Sequence, residues 1–135
     1  MSSDGRARIS IINDNPDFLE LMSAILDEDA GYEVTLFNGE QTSIAEIADS
    51  SPDLIIVDLL LGGASGWEIV TLTRADERLV DTPIVVCSAD VAGLRERGDE
   101  LAQIANLHVL AKPFSLGQIT ELVERLIGKG TVATG

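Results

Sequence analysis

Four short apolar runs in this chain each end in polar residues, and that pattern restricts the fold more than any other feature. The clearest is Pro52-Asp53-Leu54-Ile55-Ile56-Val57-Asp58. A carboxylate after four consecutive large aliphatics reads as the tip of a strand buried on both faces, where a parallel sheet opens to solvent. The other three runs end in Asn13-Asp14, Ser88 and Lys112. Carboxylate or amide oxygens, a hydroxyl and an ammonium gathered at strand ends suit a hard cation and a phosphoryl group.

Strand-like and helix-like segments alternate five times. Residues 8–13, with Ile9, Ile11 and Ile12, predict a first strand. Residues 16–29 predict a helix with Phe18, Leu21, Met22, Ile25 and Leu26 on one face. Pro16 suits its first turn, Asp14 or Asn15 can cap it, and Gly31 ends it. A second strand is predicted over 33–37, a short helix over 40–49 (Ile44, Ile47, Ala48), and a third strand over 53–57. A loop over 59–65 contains Gly62 and Gly63; a helix from 66 or 67 to about 75 and a fourth strand over 83–87 follow. Residues 90–104 predict a weak helix, because Gly93 and Gly98 each cost about 1 kcal/mol relative to Ala. A short fifth strand is predicted over 107–110. A final helix over 115–127 follows, capped by Ser115, with Leu116, Ile119, Val123, Leu126 and Ile127 inward. Repeated strand–helix units imply an α/β fold: a doubly wound, five-stranded parallel sheet with helices on both faces. The order 2-1-3-4-5 is one common solution.

Length and charge narrow the class. At 135 residues the chain is expected to be a single domain, with its core over about 8–127 and a small flexible tail over 128–135. Nine basic against 23 acidic residues give a net charge of −14, which argues against direct nucleic-acid binding, a task for basic faces. Cys87, the single cysteine, excludes an intramolecular disulfide or a cysteine zinc cluster and reads as a small core residue. His108, the single histidine, reads as a surface residue, and Trp67 as packing at the start of the third helix. No leader peptide and no apolar run of the ~20 residues that span a bilayer are visible, so a cytoplasmic location is expected.

With strands one and three side by side, about 4.8 Å apart, Asp14 and Asp58 would come close enough to share one ion. Two carboxylates with few other ligands suit Mg²⁺, which keeps several waters and takes phosphate oxygens into its shell. Ser88 could donate its hydroxyl to a phosphoryl oxygen, and Lys112 has a stem long enough to reach across and neutralise charge.

Taken together, Asn13-Asp14, Asp58, Gly66, Ser88-Ala89 and Lys112-Pro113-Phe114 resemble the receiver domains of two-component response regulators, over about residues 8–127. The resemblance implies a flavodoxin-like (βα)5 fold and a signalling module rather than an enzyme. It implies that Asp58 accepts a phosphoryl group, with Mg²⁺, from the phosphohistidine of a sensor histidine kinase or phosphotransfer protein. It further implies that Asp14 ligates the metal directly, that the backbone carbonyl of Leu60 joins it, and that Asn13 holds a metal-bound water. Ser88 corresponds to the switch hydroxyl and Lys112 to the paired lysine. A cis bond before Pro113 is expected. So is output through a face made by the fourth predicted helix, the fifth strand and the final helix, which is also a candidate homodimer contact. With no fused effector expected, the signal would pass to a separate protein target.

Several positions depart from the family pattern. Asn13 stands where a second acid is usual, which implies weaker Mg²⁺ binding. Val109 replaces the common aromatic switch residue, and Gly62 a common proline. Leu60 puts an apolar side chain near the site, which implies slower hydrolysis of the phosphoprotein. A degenerate receiver that binds partners without phosphorylation is an alternative. An aspartyl-phosphate phosphatase is a weaker one, since the acid such enzymes place two residues after the nucleophile is Leu60 here. A dinucleotide-binding enzyme fits poorly, because residues 13–17 contain no glycine.

Overall fold

The computed structural model describes residues 7–13, 16–29, 31–37, 44–58, 66–88, 106–111 and 115–127. Five strands form one sheet: β1 (Arg8–Ile12), β2 (Glu33–Phe37), β3 (Leu54–Asp58), β4 (Ile84–Ser88) and β5 (Leu107–Ala111). The spatial order is β2-β1-β3-β4-β5 and every pairing is parallel. The described helices are α1 (Pro16–Ser23), which runs directly into a π-helical stretch (Ala24–Asp29), α2 (Ile44–Asp49), α3 (Gly66–Ala75) and α4 (Leu116–Ile127). This is the doubly wound sheet that the alternating segments predict. The predicted helix over 90–104, the first turn of the 40–49 helix, the loop over 59–65 and the tail over 128–135 lie outside the described residues.

Strand alternation divides the core in two. Ile9, Ile11, Leu54, Ile56, Val85 and Cys87 point to one face, where α1, the π-helical stretch and α4 cover them with Met22, Ile25, Leu26, Ile119 and Val123. Ile12, Ile55, Val57, Ile84 and Val86 point to the other, against Ile47 and Ala48 of α2, Ile69 and Val70 of α3, and Leu79. Central strands buried on both faces need continuous aliphatic runs, which is why β1, β3 and β4 read as they do.

Three expectations change. Leu21 is 49% exposed rather than inward. It lies about 100° around the helix from Met22, at the margin of the buried stripe, and Leu19 packs in the core in its place. The predicted α-helix over 16–29 becomes π-helical from Ala24. It still ends at Gly31, whose φ of 83° is the left-handed conformation glycine adopts without strain. There the Gly31 N–H donates to the Asp27 carbonyl (3.2 Å) and the Tyr32 N–H to the Leu26 carbonyl (2.8 Å), which carries the ring of Tyr32 into the core. His108, expected at the surface, is half-buried, because it shares the side of β5 that carries Leu110 into the core.

Polar contacts close the amino-end rim of the sheet. The Arg8 N–H donates to Asp53 Oδ2 (2.8 Å) and its guanidinium pairs with Glu33 (Nε–Oε2 2.6 Å) and reaches the Ser50 carbonyl. Arg74 donates to the carbonyls of Leu79 (2.8 Å) and Thr82 (2.6 Å), and more distantly to Asn106. Burial holds the Arg74 guanidinium below its ordinary pKa, with nearby Asp81 opposing the shift.

Candidate functional site at the carboxyl end of the sheet

Strand order alone defines a crevice. The chain steps from β1 outward to β2, then returns past β1 to β3, so the connections after β1 and β3 leave in opposite directions. Ligands of doubly wound folds bind beyond the carboxyl ends at that reversal.

The register brings the predicted positions to this rim. Asp58 is the last residue of β3, as its place after four aliphatics predicts. Ile12 lies opposite Val57, so Asn13 and Asp58 are the next residues of neighbouring strands at one end. Asn13 is only 1% exposed, and its N–H donates to the Phe37 carbonyl at 3.1 Å. Asp58 lies beside Cys87, and Ser88 then ends β4 opposite Ala111, the last residue of β5. Asp14 follows Asn13 in the chain and Lys112 follows Ala111. Asp14, Leu60 and Lys112 lie outside the described residues, as do the side chains of Asp58 and Ser88 and the bond before Pro113. Four separate stretches of sequence thus approach one rim through described strands.

Phe37 is a contributor that sequence reasoning passed over. Its carbonyl fixes how β1 ends, yet an apolar residue at a strand end gives no chemical signal. Val109 lies on the edge strand β5 with 42% of its surface exposed, so this position presents a small aliphatic to solvent. Among the described residues no three His, Cys, Asp or Glu side chains gather as a metal site. The donor set the sequence points to, two carboxylates and a carbonyl, is hard oxygen chemistry that suits Mg²⁺.

A parallel five-stranded sheet of order 2-1-3-4-5, with Asn13, Asp58 and Ser88 at its switch-point rim, defines a class, the doubly wound α/β domains that bind ligands beyond their strand ends. Comparison with known proteins agrees and is more specific. Residues 9–124 match the response regulator receiver domain, and the chain belongs to that family. It is 37% identical over 123 residues to the phosphate regulon transcriptional regulatory protein PhoB of Pseudomonas aeruginosa, a match covering 87% of this chain and 49% of that protein. The chain spans about half the length of the curated relatives it matches. Chemotaxis protein CheY4 of Vibrio cholerae shares the fold, with a TM-score of 0.80 at 24% identity over 91% of this chain and 100% of that one. The response regulator TrrA of Thermotoga maritima, solved in complex with Mg²⁺–BeF, has a TM-score of 0.74 at 26% identity over 90% of this chain and 99% of that one. No helix among the described residues is long and apolar enough to cross a membrane.

Proposed function

We propose that this receiver domain is a phosphorylation-dependent switch that takes a phosphoryl group onto Asp58 from the phosphohistidine of a sensor kinase or phosphotransfer protein. The observation that carries the proposal is the position of Asp58 as the last residue of a central strand, at the reversal of strand order and beside Asn13. A carboxylate there has a buried strand to hold its backbone, at the end of the sheet where doubly wound folds bind ligands.

In the proposed reaction a carboxylate oxygen of Asp58 bonds to phosphorus as the bond from phosphorus to the donor's histidine nitrogen breaks, and that nitrogen keeps the electron pair. Such transfers depend mainly on positioning and charge neutralisation. Asp14, Asp58 and the Leu60 carbonyl would hold Mg²⁺, with Asn13 holding one of its waters; the ion supplies positive charge to the phosphoryl oxygens. Ser88 would donate its hydroxyl to a phosphoryl oxygen, and Lys112 would pair its ammonium with another. An amide at position 13 in place of an acid removes one negative charge from the pocket, so Mg²⁺ affinity is expected to be modest.

Incubation with acetyl phosphate and Mg²⁺, followed by intact mass spectrometry, tests the proposal. The expected result is one added phosphoryl mass, abolished in Asp58→Asn and by chelation of Mg²⁺. No added mass on the wild-type chain would overturn it and favour a constitutive interaction module. An unchanged yield in Asp58→Asn would move the acceptor elsewhere.

A further inference from the structure

The charge of this chain is unevenly distributed. Residues 9–73 contain thirteen Asp and Glu and no Lys, Arg or His, whereas the remainder contains ten acidic and nine basic residues. The segment from Arg8 to Ala75, which builds β1, α1, β2, α2, β3 and α3, therefore carries −11 of the net charge of −14, with Arg8 and Arg74 at its two ends.

Within that segment lies a groove of about 570 Å³ between α1, the π-helical stretch and the outer strand β2. Pro16, Leu19, Ala24 and Leu36 supply apolar lining, and Glu20 and Asp27 bring carboxylates. Leu36 is 42% exposed, on the side of β2 that faces α1, although the sheet has core to offer on that side. The groove lies on the flank of the sheet covered by α1, and none of the candidate site residues lines it. Apolar lining with carboxylates beside it, in a region with no cation in sequence from Ile9 to Thr73, is complementary to a cationic amphipathic helix: leucine-like side chains against Leu19 and Leu36, lysine or arginine stems reaching Glu20 and Asp27. The same charge disfavours the other occupants. A second copy would bring one acidic half against another, and nucleic acid or an anionic lipid surface would meet like charge.

We infer that the α1–β2 groove docks a basic amphipathic helix of a partner protein, independently of the chemistry at Asp58.

The probe is a fluorescent Leu/Lys peptide of about 18 residues, roughly five helical turns, with leucines at i, i+3, i+4 and i+7. Fluorescence anisotropy against the full chain is expected to give saturable micromolar binding, weakened about tenfold or more between about 50 and 300 mM NaCl. A scrambled peptide of equal charge but no apolar stripe is expected to bind at least about tenfold more weakly. Glu20→Lys and Leu36→Thr, both at exposed positions, are each expected to weaken binding about fivefold or more. Glu46→Lys on α2, which makes the same change in net charge on the other face of the sheet, and Asp58→Asn are each expected to stay within about twofold. Circular dichroism confirms that each variant is folded; should one unfold, the scrambled peptide still decides the question. Absence of binding, equal binding of the scrambled peptide, unchanged affinity in Leu36→Thr, or a Glu46→Lys loss equal to that of Glu20→Lys would overturn the inference. A loss confined to Asp58→Asn would assign the peptide to the rim and overturn it as well.

Discussion

At the scale of single residues, backbone conformation and burial decide more than residue type. Ser51 follows α2 with a φ of 51°, its N–H donating to the Ala48 carbonyl at 3.0 Å, and Pro52 follows it. That is the left-handed close of a helix, usually given to glycine. An L-residue there costs about 1–2 kcal/mol, and glycine costs about 0.5–1 kcal/mol in unfolded-chain entropy. Ser51→Gly is therefore expected to stabilise the chain by about 0.5 kcal/mol, read as a higher urea midpoint at unchanged m-value. Asn106 occupies the same conformation with φ 54°, at less strain, because Asn enters this region more readily. Tyr32 gives the pH counterpart. Desolvation, helped by the negative charge of Glu124, raises its pKa above the ordinary 10.0. The folded state then holds the phenolic proton where the unfolded chain has released it, so stability is intact below about pH 10 and falls as pH rises further. Tyr32→Phe is expected to flatten that alkaline decline in chemical denaturation series. An identical slope in the variant would show that Tyr32 does not drive it.

At the scale of elements, the sequence located every described strand to within a residue, the central β1, β3 and β4 because strands buried on both faces must be aliphatic throughout. It also located the start of the last helix. The Ser115 hydroxyl accepts from the Gln118 N–H at 3.1 Å, and Gln118 Oε1 accepts from the Ser115 N–H at 2.7 Å, a reciprocal capping box. Ser115→Ala is expected to cost about 1 kcal/mol, and Ser115→Asp to retain most of it. The π-helical stretch after α1 was not legible. Apolar spacing and a terminal glycine serve an i→i−4 or an i→i−5 ladder equally well; in the π-helical form Ile25, Leu26 and Tyr32 all join the core. Leu21 was misplaced for a related reason: a stripe edge is set by what the neighbouring strand covers, and hydrophobicity alone does not mark it.

At the scale of the whole molecule, a net charge of −14 repels itself in the compact state, and salt screens that repulsion. Raising NaCl from about 20 to about 200 mM is expected to increase the melting temperature, with most of the gain complete once the screening length falls below about 10 Å. A melting temperature insensitive to salt would show that self-repulsion of the excess negative charge does not limit stability. The candidate site is also a property of the whole molecule. Asp14, Asp58, Ser88 and Lys112 are legible in the sequence because each stands at the end of an apolar run, and chemistry at a strand end is visible as a break in hydrophobicity. Their grouping at one rim was an expectation from a common topology, and the parallel register now carries Asn13, Asp58, Ser88 and Ala111 to the same end of the sheet. The α1–β2 groove had no such signature: Leu19, Glu20 and Leu36 look like ordinary helix and strand residues until the edge of the sheet leaves them side by side. The one-dimensional order of residues thus settled the alternating elements, the two-sided core and the polar strand ends, since burial selects residue type locally. Which strands became neighbours, which turn widened and which leucines stayed in water were decided in three dimensions, because those outcomes depend on contacts between segments that the chain keeps far apart.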